Sequence, residues 1–370
     1  MTTDQQEVSR VALTGARGFL GWHTRAALLA SGGSSNGFPV GDGFQVERAV
    51  DAIEGVDRLI HLAGVNRGTD EEVFDGNIRM AEQTAAVIRS AADPPAVVVF
   101  ANSIQSGNTT PYGRSKARAR DILAEAASDR GLSFSDIALP NVFGEHGRPF
   151  YNSVVATFCH VLADGGVPSI EHDKPLTLLH AQDAADVLLG RRDLFPVDED
   201  VSVGSLLSRL RGIAERYRSG DIPDVAGAFE RDLFNTYRAA AFERAPVIPL
   251  ERRSDRRGAF FEIVRSHGGS GQSSFSTTVP GVSRGDHFHR RKIERFTVLS
   301  GTAVIALRRV LTDEVLEFRV SGAQPVAIDM PTLWSHKITN TGDDDLFTSF
   351  WSNEIFDPET PDTIAEAVAR

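Results

Sequence analysis

With 370 residues, 41% of them hydrophobic and 24% charged, the chain has an ordinary globular composition but is long for one hydrophobic core, so two domains are expected. Asp+Glu 50 against Lys+Arg 39 gives a net charge of −11, which argues against a nucleic-acid surface, and no apolar run approaches a membrane span. The polar opening MTTDQQEVSR lacks the apolar stretch of a signal peptide. The one cysteine, Cys159, can form no internal disulfide, so a cytoplasmic protein with a buried thiol is expected.

Val8 to Leu13 reads as a short buried strand, followed at once by TGARGFLG and a helical pattern from Phe19 to Ala30. Gly15, Gly18 and Gly21 form a glycine turn between them, with Arg17, Phe19 and Leu20 at the same bend. Such glycines let the backbone pass close to a pyrophosphate, and the helix start offers unpaired N–H groups and a favourable dipole. Glycine-rich turns also serve as plain strand-to-helix connections, but this one stands after a first strand and before a helix, as a dinucleotide site requires. Asp42 follows Gly21 by 21 residues, near the end of an expected second strand, where a carboxylate can bind the adenosine ribose of NAD. Arg17 can instead pair with the 2′-phosphate of NADP. Spacing leaves both open.

Asp57 to Gly64 reads as a third strand ending in the small-residue loop Leu62-Ala63-Gly64, which can face a cofactor. A helix is expected from Asn77 to about Ala92. Ala96 to Ala101, AVVVFA, is the continuous apolar run of a central parallel strand. This alternation argues for a doubly wound, Rossmann-like α/β sheet. Ser103 lies just past the central strand, where open α/β sheets bind ligands. Tyr112 and Lys116, four apart, share one face of a helix expected to run to Gly131. A free phenol has a pKa of about 10, so proton transfer near neutrality asks for a shift of roughly three units, or about 4 kcal/mol. A nearby ammonium in a partly desolvated cleft can supply much of that. Tyr-x-x-x-Lys alone is a common surface pairing; the glycine turn and Ser103 raise it above that.

In this order TGARGFLG, HLAG, Asn77, Ser103 and YGRSK, with LPNVFG at 139–144 and LHAQDA at 179–184, resemble an extended short-chain dehydrogenase/reductase of the nucleotide-sugar group. The resemblance covers about residues 8–240. It implies that Tyr112 is the catalytic acid, Lys116 its partner and a ribose ligand, Ser103 the residue orienting the carbonyl, and Asn77 an active-site support. Helices expected around Asn152–Ala163, Ser202–Ser219 and Asp224–Phe242 would form a substrate lobe. Asn141, Tyr151 and Asn152 fall where that lobe should meet the sheet, either contacting the sugar or nucleotide or capping helices.

Glu243 to Arg253, with two prolines and many charges, reads as a linker between domains 1–243 and 244–370. Beyond it, short strands between Gly, Asp and Asn turns indicate an all-β barrel or jelly roll, clearest at Phe275–Val279, Arg295–Leu299, Ala303–Arg309, Glu314–Val320 and Leu346–Trp351. His287 and His289, two apart on a strand, face one way while Phe288 faces the other. Glu294 can arrive from the next strand, and His336 follows an apolar hairpin. Two histidines on a strand are by themselves ordinary surface residues, but three imidazoles and a carboxylate suit zinc or another borderline divalent metal. The spacing Gly281-x5-His287-x-His289-x4-Glu294-x6-Gly301 is similar to the first cupin motif. Pro331-x4-His336-x3-Asn340 resembles the second, with Leu333 where glycine is usual. DRRGAFFE at 255–262 and GVSRGDH at 281–287 look like segments of the nucleotide-sugar 3,5-epimerases, metal-free relatives in which the histidine matching His287 is a base.

A reductase of this kind fused to a cupin, with YNSVVATFC at 151–159 and NEIFDPETPDT at 353–363, resembles a family of bifunctional capsular-polysaccharide enzymes over nearly the full length. That resemblance implies two steps. The cupin inverts C3 of a UDP-linked 4-keto-6-deoxy-N-acetylhexosamine, and the reductase then reduces the C4 ketone with NADPH (or NADH), giving UDP-N-acetyl-6-deoxytalosamine. It also implies zinc and a homodimer. A ketone at C4 acidifies the C3 proton, so inversion needs a base, for which Lys292, Asp286 and His267 are the candidates. Reduction then removes the acidity and traps the new stereocentre. A reductase above a merely structural cupin and a non-catalytic nucleotide-sugar sensor are the competing readings, and the complete Ser103, Tyr112 and Lys116 set speaks against the sensor.

Overall fold

The computed structural model describes residues 10–194 and 201–369; Val8 and Ser9 of the expected first strand lie outside them. The chain divides into two compact units, one of Met1–Val142 with Thr177–Glu199, the other of Phe143–Leu176 with Asp200–Arg370. Among the described residues no helix is long and apolar enough to cross a membrane.

In the first unit, β1 (Arg10–Thr14), β2 (Ser34–Phe38), β3 (Arg58–His61), β4 (Val97–Ser103) and β5 (Ser133–Leu139) form one parallel sheet in the order β2-β1-β3-β4-β5. Between them run α1 (Phe19–Ala30), α2 (Val46–Ile53), α3 (Asp70–Ser90) and α4 (Pro111–Asp129). Alternate strand residues face opposite cores, as the two-residue period requires. Ala12, Leu59 and Val98 pack with Ala81 and Ile88 of α3 and Leu123 of α4, whereas Val11, Ile60 and Val99 pack with Leu28 of α1 and Leu188 of the helix Ala181–Leu188. Helices thus cover both faces, the doubly wound Rossmann-like arrangement.

α3 starts at Asp70 rather than Asn77. Thr69 accepts a bond from Glu72 N while the Glu72 carboxylate accepts one from Thr69 N, and Asp70, Glu71 and Glu72 all lie at the positive end of the helix dipole. His61 closes β3 in full burial, its Nδ1 3.1 Å from Thr14 Oγ1 and 3.0 Å from Thr84 Oγ1. Burial first, and the charge of Lys116 second, lower its pKa from 6.5 to about 3. The unfolded chain therefore takes up this proton before the folded one does. The stabilisation is complete above pH 6.5 and is lost as pH falls toward 3. Urea unfolding of the wild type across that range should lose stability that a His61→Asn variant, with no proton to gain, does not lose; parallel curves would refute the assignment.

In the second unit, α5 (Val154–Ala163), α6 (Val203–Arg218) and α7 (Ala228–Phe242) join an all-β part. One antiparallel sheet has β6 (Val247–Pro249), β12 (Val326–Met330), β9 (Glu294–Ser300), β14 (Leu346–Ser352) and β7 (Gln272–Thr278) in that order. The other has β11 (Val315–Ser321), β10 (Thr302–Arg309), β13 (Trp334–Asn340), β8 (Ser283–Phe288) and β15 (Ile364–Ala365). Two five-stranded antiparallel sheets around an apolar core of Phe296, Val298, Ile305, Ile328 and Ile338 make the cupin-type domain.

The compact units do not part at residue 243. Phe242 of α7 belongs to the core between the two sheets. Tyr217 Oη of α6 donates to Asp329 Oδ2 at 2.9 Å, and Arg295, fully buried with Asp329, grips the same carboxylate at 2.6 and 3.1 Å. The helical lobe is therefore packed as one body with the β domain. The expected linker likewise contributes β6, an edge strand pairing only with β12, where Pro249 has no second neighbour to which it must donate. Cys159 is buried in α5 as expected, and burial pushes its thiol far up.

Candidate active site and metal centre

The turn from β1 to α1 depends on two glycines. Gly15 has a φ of +68°, and a Cβ there would lie 2.8 Å from Ala63 N; a Cβ on Gly21 would lie 2.2 Å from Gly15 O. The first position needs the left-handed conformation and the second needs the close helix–strand approach. Gly18 stands at the N-cap of α1 with no side chain bonding the helix start. The N–H groups of Phe19 and Leu20, which no helical carbonyl can reach, make a cradle whose chemistry fits a pyrophosphate. Arg17 is exposed on this turn. Leu62 N and Ala63 N donate to Thr14 Oγ1 at 3.1 and 3.2 Å, which ties the loop through Gly64 to the same strand end.

Asn77 uses its whole amide on backbone: Oδ1 accepts Val65 N at 3.1 Å, and Nδ2 donates to Val65 O and Val73 O, both at 2.7 Å. It fixes the loop after β3. Asp42 is not at a strand end. β2 stops at Phe38, Gly41 and Gly43 at φ +85° and +82° turn the chain away, and Asp42 sits exposed with its carboxylate 3.1 Å from Arg79 Nη1.

Ser103 is the last residue of β4, its Oγ accepting Gln105 N at 3.2 Å. Thr110, accepting Gly113 N, and Pro111 start α4 and place Tyr112 in its first turn. Tyr112 and Ser103 share a hydrogen bond; burial raises the phenol above its ordinary value, with that bond pulling the other way. Lys116 is buried one turn on. Its Nζ donates to Ala101 O at 2.7 Å and lies 4.0 Å from the centre of the Phe100 ring. Burial lowers its pKa to about 7 against the opposing charge of Asp136. Lys116 Nζ is engaged by a carbonyl and a ring face, and burial holds the Tyr112 phenol above its ordinary value. A protonated phenol beside a hydroxyl is what a carbonyl needs on becoming an alcohol.

Asn141 is exposed, its N and Nδ2 meeting Thr177 O at 3.1 and 3.2 Å. Tyr151 and Asn152 belong to the second unit, where Arg148 lies over the Tyr151 ring at 4.9 Å and Asn152 is exposed.

In the β domain four side chains come together as expected: His287, His289, Glu294 and His336 place their ligand atoms within 4.8 Å of one another. β8 and β13 pair with His287 opposite His336, after a register shift at Gly285–Asp286 where Asp286 takes φ +58°. His289 follows β8, and Glu294 opens β9 on the other sheet. His289 Nδ1 bonds Asp362 O, and His336 Nδ1 bonds Trp334 O at 3.3 Å. With those nitrogens donating, each Nε2 presents a lone pair. Both Nε2 atoms are buried without a hydrogen bond, although Glu294 Oε2 is 2.9 and 3.4 Å away; the separations are short but the alignment is not that of a hydrogen bond. Orphaned nitrogens aimed at a carboxylate are a donor set that fits a zinc-like ion. Burial, then the neighbouring His336 and His289, lowers His287 to about 4, and burial also lowers His336.

Of the three candidate bases, His267 is paired with Asp221 at 2.7 Å and Asp286 Oδ1 accepts Val368 N at 2.8 Å. Lys292 alone stands at the metal set, its Nζ 3.3 Å from Glu294 Oε1. Sequence reasoning missed Asp362. Its carboxylate accepts Arg290 N at 3.0 Å, Arg291 N at 2.9 Å and Lys292 N at 2.8 Å, and its carbonyl orients His289, so it holds the turn between two metal ligands. An Asp362→Ala variant should bind zinc about 10- to 100-fold more weakly in competition with a chelator, and an unchanged affinity would remove the role.

Comparisons with known proteins agree with this two-part layout. Residues 11–195 match the NAD dependent epimerase/dehydratase family, and residues 253–364 match the polysaccharide biosynthesis C-terminal domain. The chain is 34% identical over 374 residues to a UDP-2-acetamido-2,6-beta-L-arabino-hexul-4-ose reductase of Pseudomonas aeruginosa, covering 98% of this chain and 99% of that one. The crystal structure of the capsular polysaccharide assembling protein CapF from Staphylococcus aureus is 31% identical, covers 97% of this chain and 100% of its own, and superposes with a TM-score of 0.59. A UDP-N-acetylglucosamine 4-epimerase from Methanobrevibacter ruminantium, 16% identical over 63% of this chain and 98% of its own at a TM-score of 0.53, shares the fold.

Proposed function

Because the chain belongs to the CapF-like proteins, an NAD dependent epimerase/dehydratase domain joined to a polysaccharide biosynthesis C-terminal domain, we propose that it reduces a UDP-linked 4-keto-6-deoxy-N-acetylhexosamine with NADPH after inverting its C3 centre. The product is UDP-N-acetyl-6-deoxytalosamine, a precursor for a capsule or O-antigen polysaccharide. The observation that carries the reading is the placing of Ser103 at the end of β4, Tyr112 in the first turn of α4 and buried Lys116 one turn on, its Nζ 2.7 Å from Ala101 O. Ser103 orients the C4 carbonyl and Tyr112 gives its proton to the C4 oxygen. Bound NADPH supplies the hydride. NADPH is favoured over NADH by Arg17 on the glycine turn and by the distance of Asp42 from the end of β2.

In the β domain His287, His289, Glu294 and His336 would hold zinc, which when bound would supply Lewis acidity for a developing enolate oxygen. Phe275 and Phe347, exposed on β7 and β14 with ring centres 5.8 Å apart, favour a homodimer through that sheet. One observation favours a purely structural metal: four protein ligands close a tetrahedral zinc.

Incubation of the full chain with the UDP-linked 4-keto sugar and either cofactor in D2O, with products read by NMR, decides. The expected result is NADPH oxidation with inversion and deuterium at C3. Reduction without either change at C3 selects the structural cupin, and no cofactor oxidation at all sinks the reductase.

A further inference from the structure

Next to the metal ligands the β domain carries a cleft whose wall includes Lys292, Glu294, Phe350, Trp351, Glu354 and Phe356. Glu354 follows β14 and its two carboxylate oxygens differ. Oε2 accepts Arg291 Nη2 at 3.0 Å, while Oε1 is buried without a hydrogen-bond partner. A salt bridge to Arg291 needs only the first oxygen. An acceptor held out of water and left unpaired is costly, and such atoms mark places where another group is expected.

We propose that this cleft binds the 4-keto sugar ring and that Glu354 is the general base acting on its C3 proton. The inference rests on the reading that the β domain epimerises. Arg291 fixes the carboxylate's orientation in the cleft wall. Lys292 Nζ, 3.3 Å from Glu294 Oε1, puts positive charge on the metal side of the same cleft, where the C4 oxygen of a ring with C3 at Glu354 would lie. Phe350 and Trp351 offer flat apolar surface to the sugar. In the step itself the C3–H bond breaks and its proton goes to the Glu354 carboxylate, the electron pair forming the C3–C4 double bond of an enolate. Solvent water returns a proton to C3 on the opposite face, and Glu354 releases the one it took. Nothing is oxidised or reduced.

The test uses the full chain loaded with zinc and the UDP-linked 4-keto-6-deoxy sugar in D2O without NADPH, following deuterium entry at C3. Glu354→Gln should slow exchange by at least about 100-fold with zinc content and melting temperature unchanged. Exchange within about threefold of wild type overturns the assignment. Glu354→Asp, which keeps the charge and draws the oxygen back, should recover part of the rate; a variant with intact metal no faster than the Gln form would make Glu354 a positioning group and also overturn it. If the wild type itself shows no exchange, the epimerase reading fails and this inference goes with it.

Discussion

Tyr112→Phe lowers kcat for reduction of the 4-keto sugar by about 10²- to 10⁴-fold and leaves KM for NADPH unchanged. The size follows from what the phenol alone supplies. A ketone accepting hydride develops negative charge on oxygen and must gain a proton in or just after the same step. Burial keeps Tyr112 protonated at neutral pH, so the acid is already loaded for the reductive direction. Phenylalanine keeps the ring and its packing and removes only the hydroxyl, and the cofactor cradle of Gly15, Gly18 and Gly21 is untouched. Ser103→Ala should cost less, because Ser103 orients the carbonyl without giving up a proton. Stopped-flow loss of NADPH fluorescence with saturating sugar separates the chemical step from binding. A Tyr112→Phe rate within about threefold of wild type would mean that another group protonates the oxygen.

How much of this was legible in the sequence depends on how local the cause is. The parallel sheet could be read because Leu59, Ile60, Val98 and Val99 are apolar runs buried on both faces, and the glycine turn because its spacing is its mechanism. The start of α3 was equally local, in the Thr69 and Glu72 pair, although the helix was expected to open only at Asn77. The metal set was legible because cross-strand register makes spacing predictive: once β8 and β13 pair, His287 and His336 must meet. Asp362 and Glu354 follow no such rule. Their partners at Arg290 to Lys292 are more than 60 residues away, and only the folded chain lays the segment Asn353–Thr363 beside that turn. Lys116 shows the same limit at short range. The four-residue spacing put it beside Tyr112, but that its ammonium would go to Ala101 O depended on where β4 ends.

The metal ligands come from both sheets, and this sets the outcome of the second large experiment. His287 and His336 face each other on β8 and β13, and Glu294 opens β9 on the opposite sheet, so an ion held by all four joins the sheets at one end. Burial alone would raise the Glu294 carboxyl, but its contacts with His289 and His336 outweigh that and hold it well below its ordinary range. Removing His336, which is fully buried, leaves that carboxylate short of a partner and the ion short of a ligand. His336→Ala should therefore lose zinc, destabilise the β domain by on the order of several kcal/mol, because metal-binding free energy is folding free energy, and abolish deuterium entry at C3. The same losses should follow chelation of the wild type and reverse when zinc is returned. Calorimetry and exchange measured on one chelated sample sort the alternatives: a melting temperature that stays put while exchange disappears assigns the ion to chemistry alone, and a fall in melting with exchange retained assigns it to the fold alone. If neither changes, His287, His289, Glu294 and His336 are not a metal site.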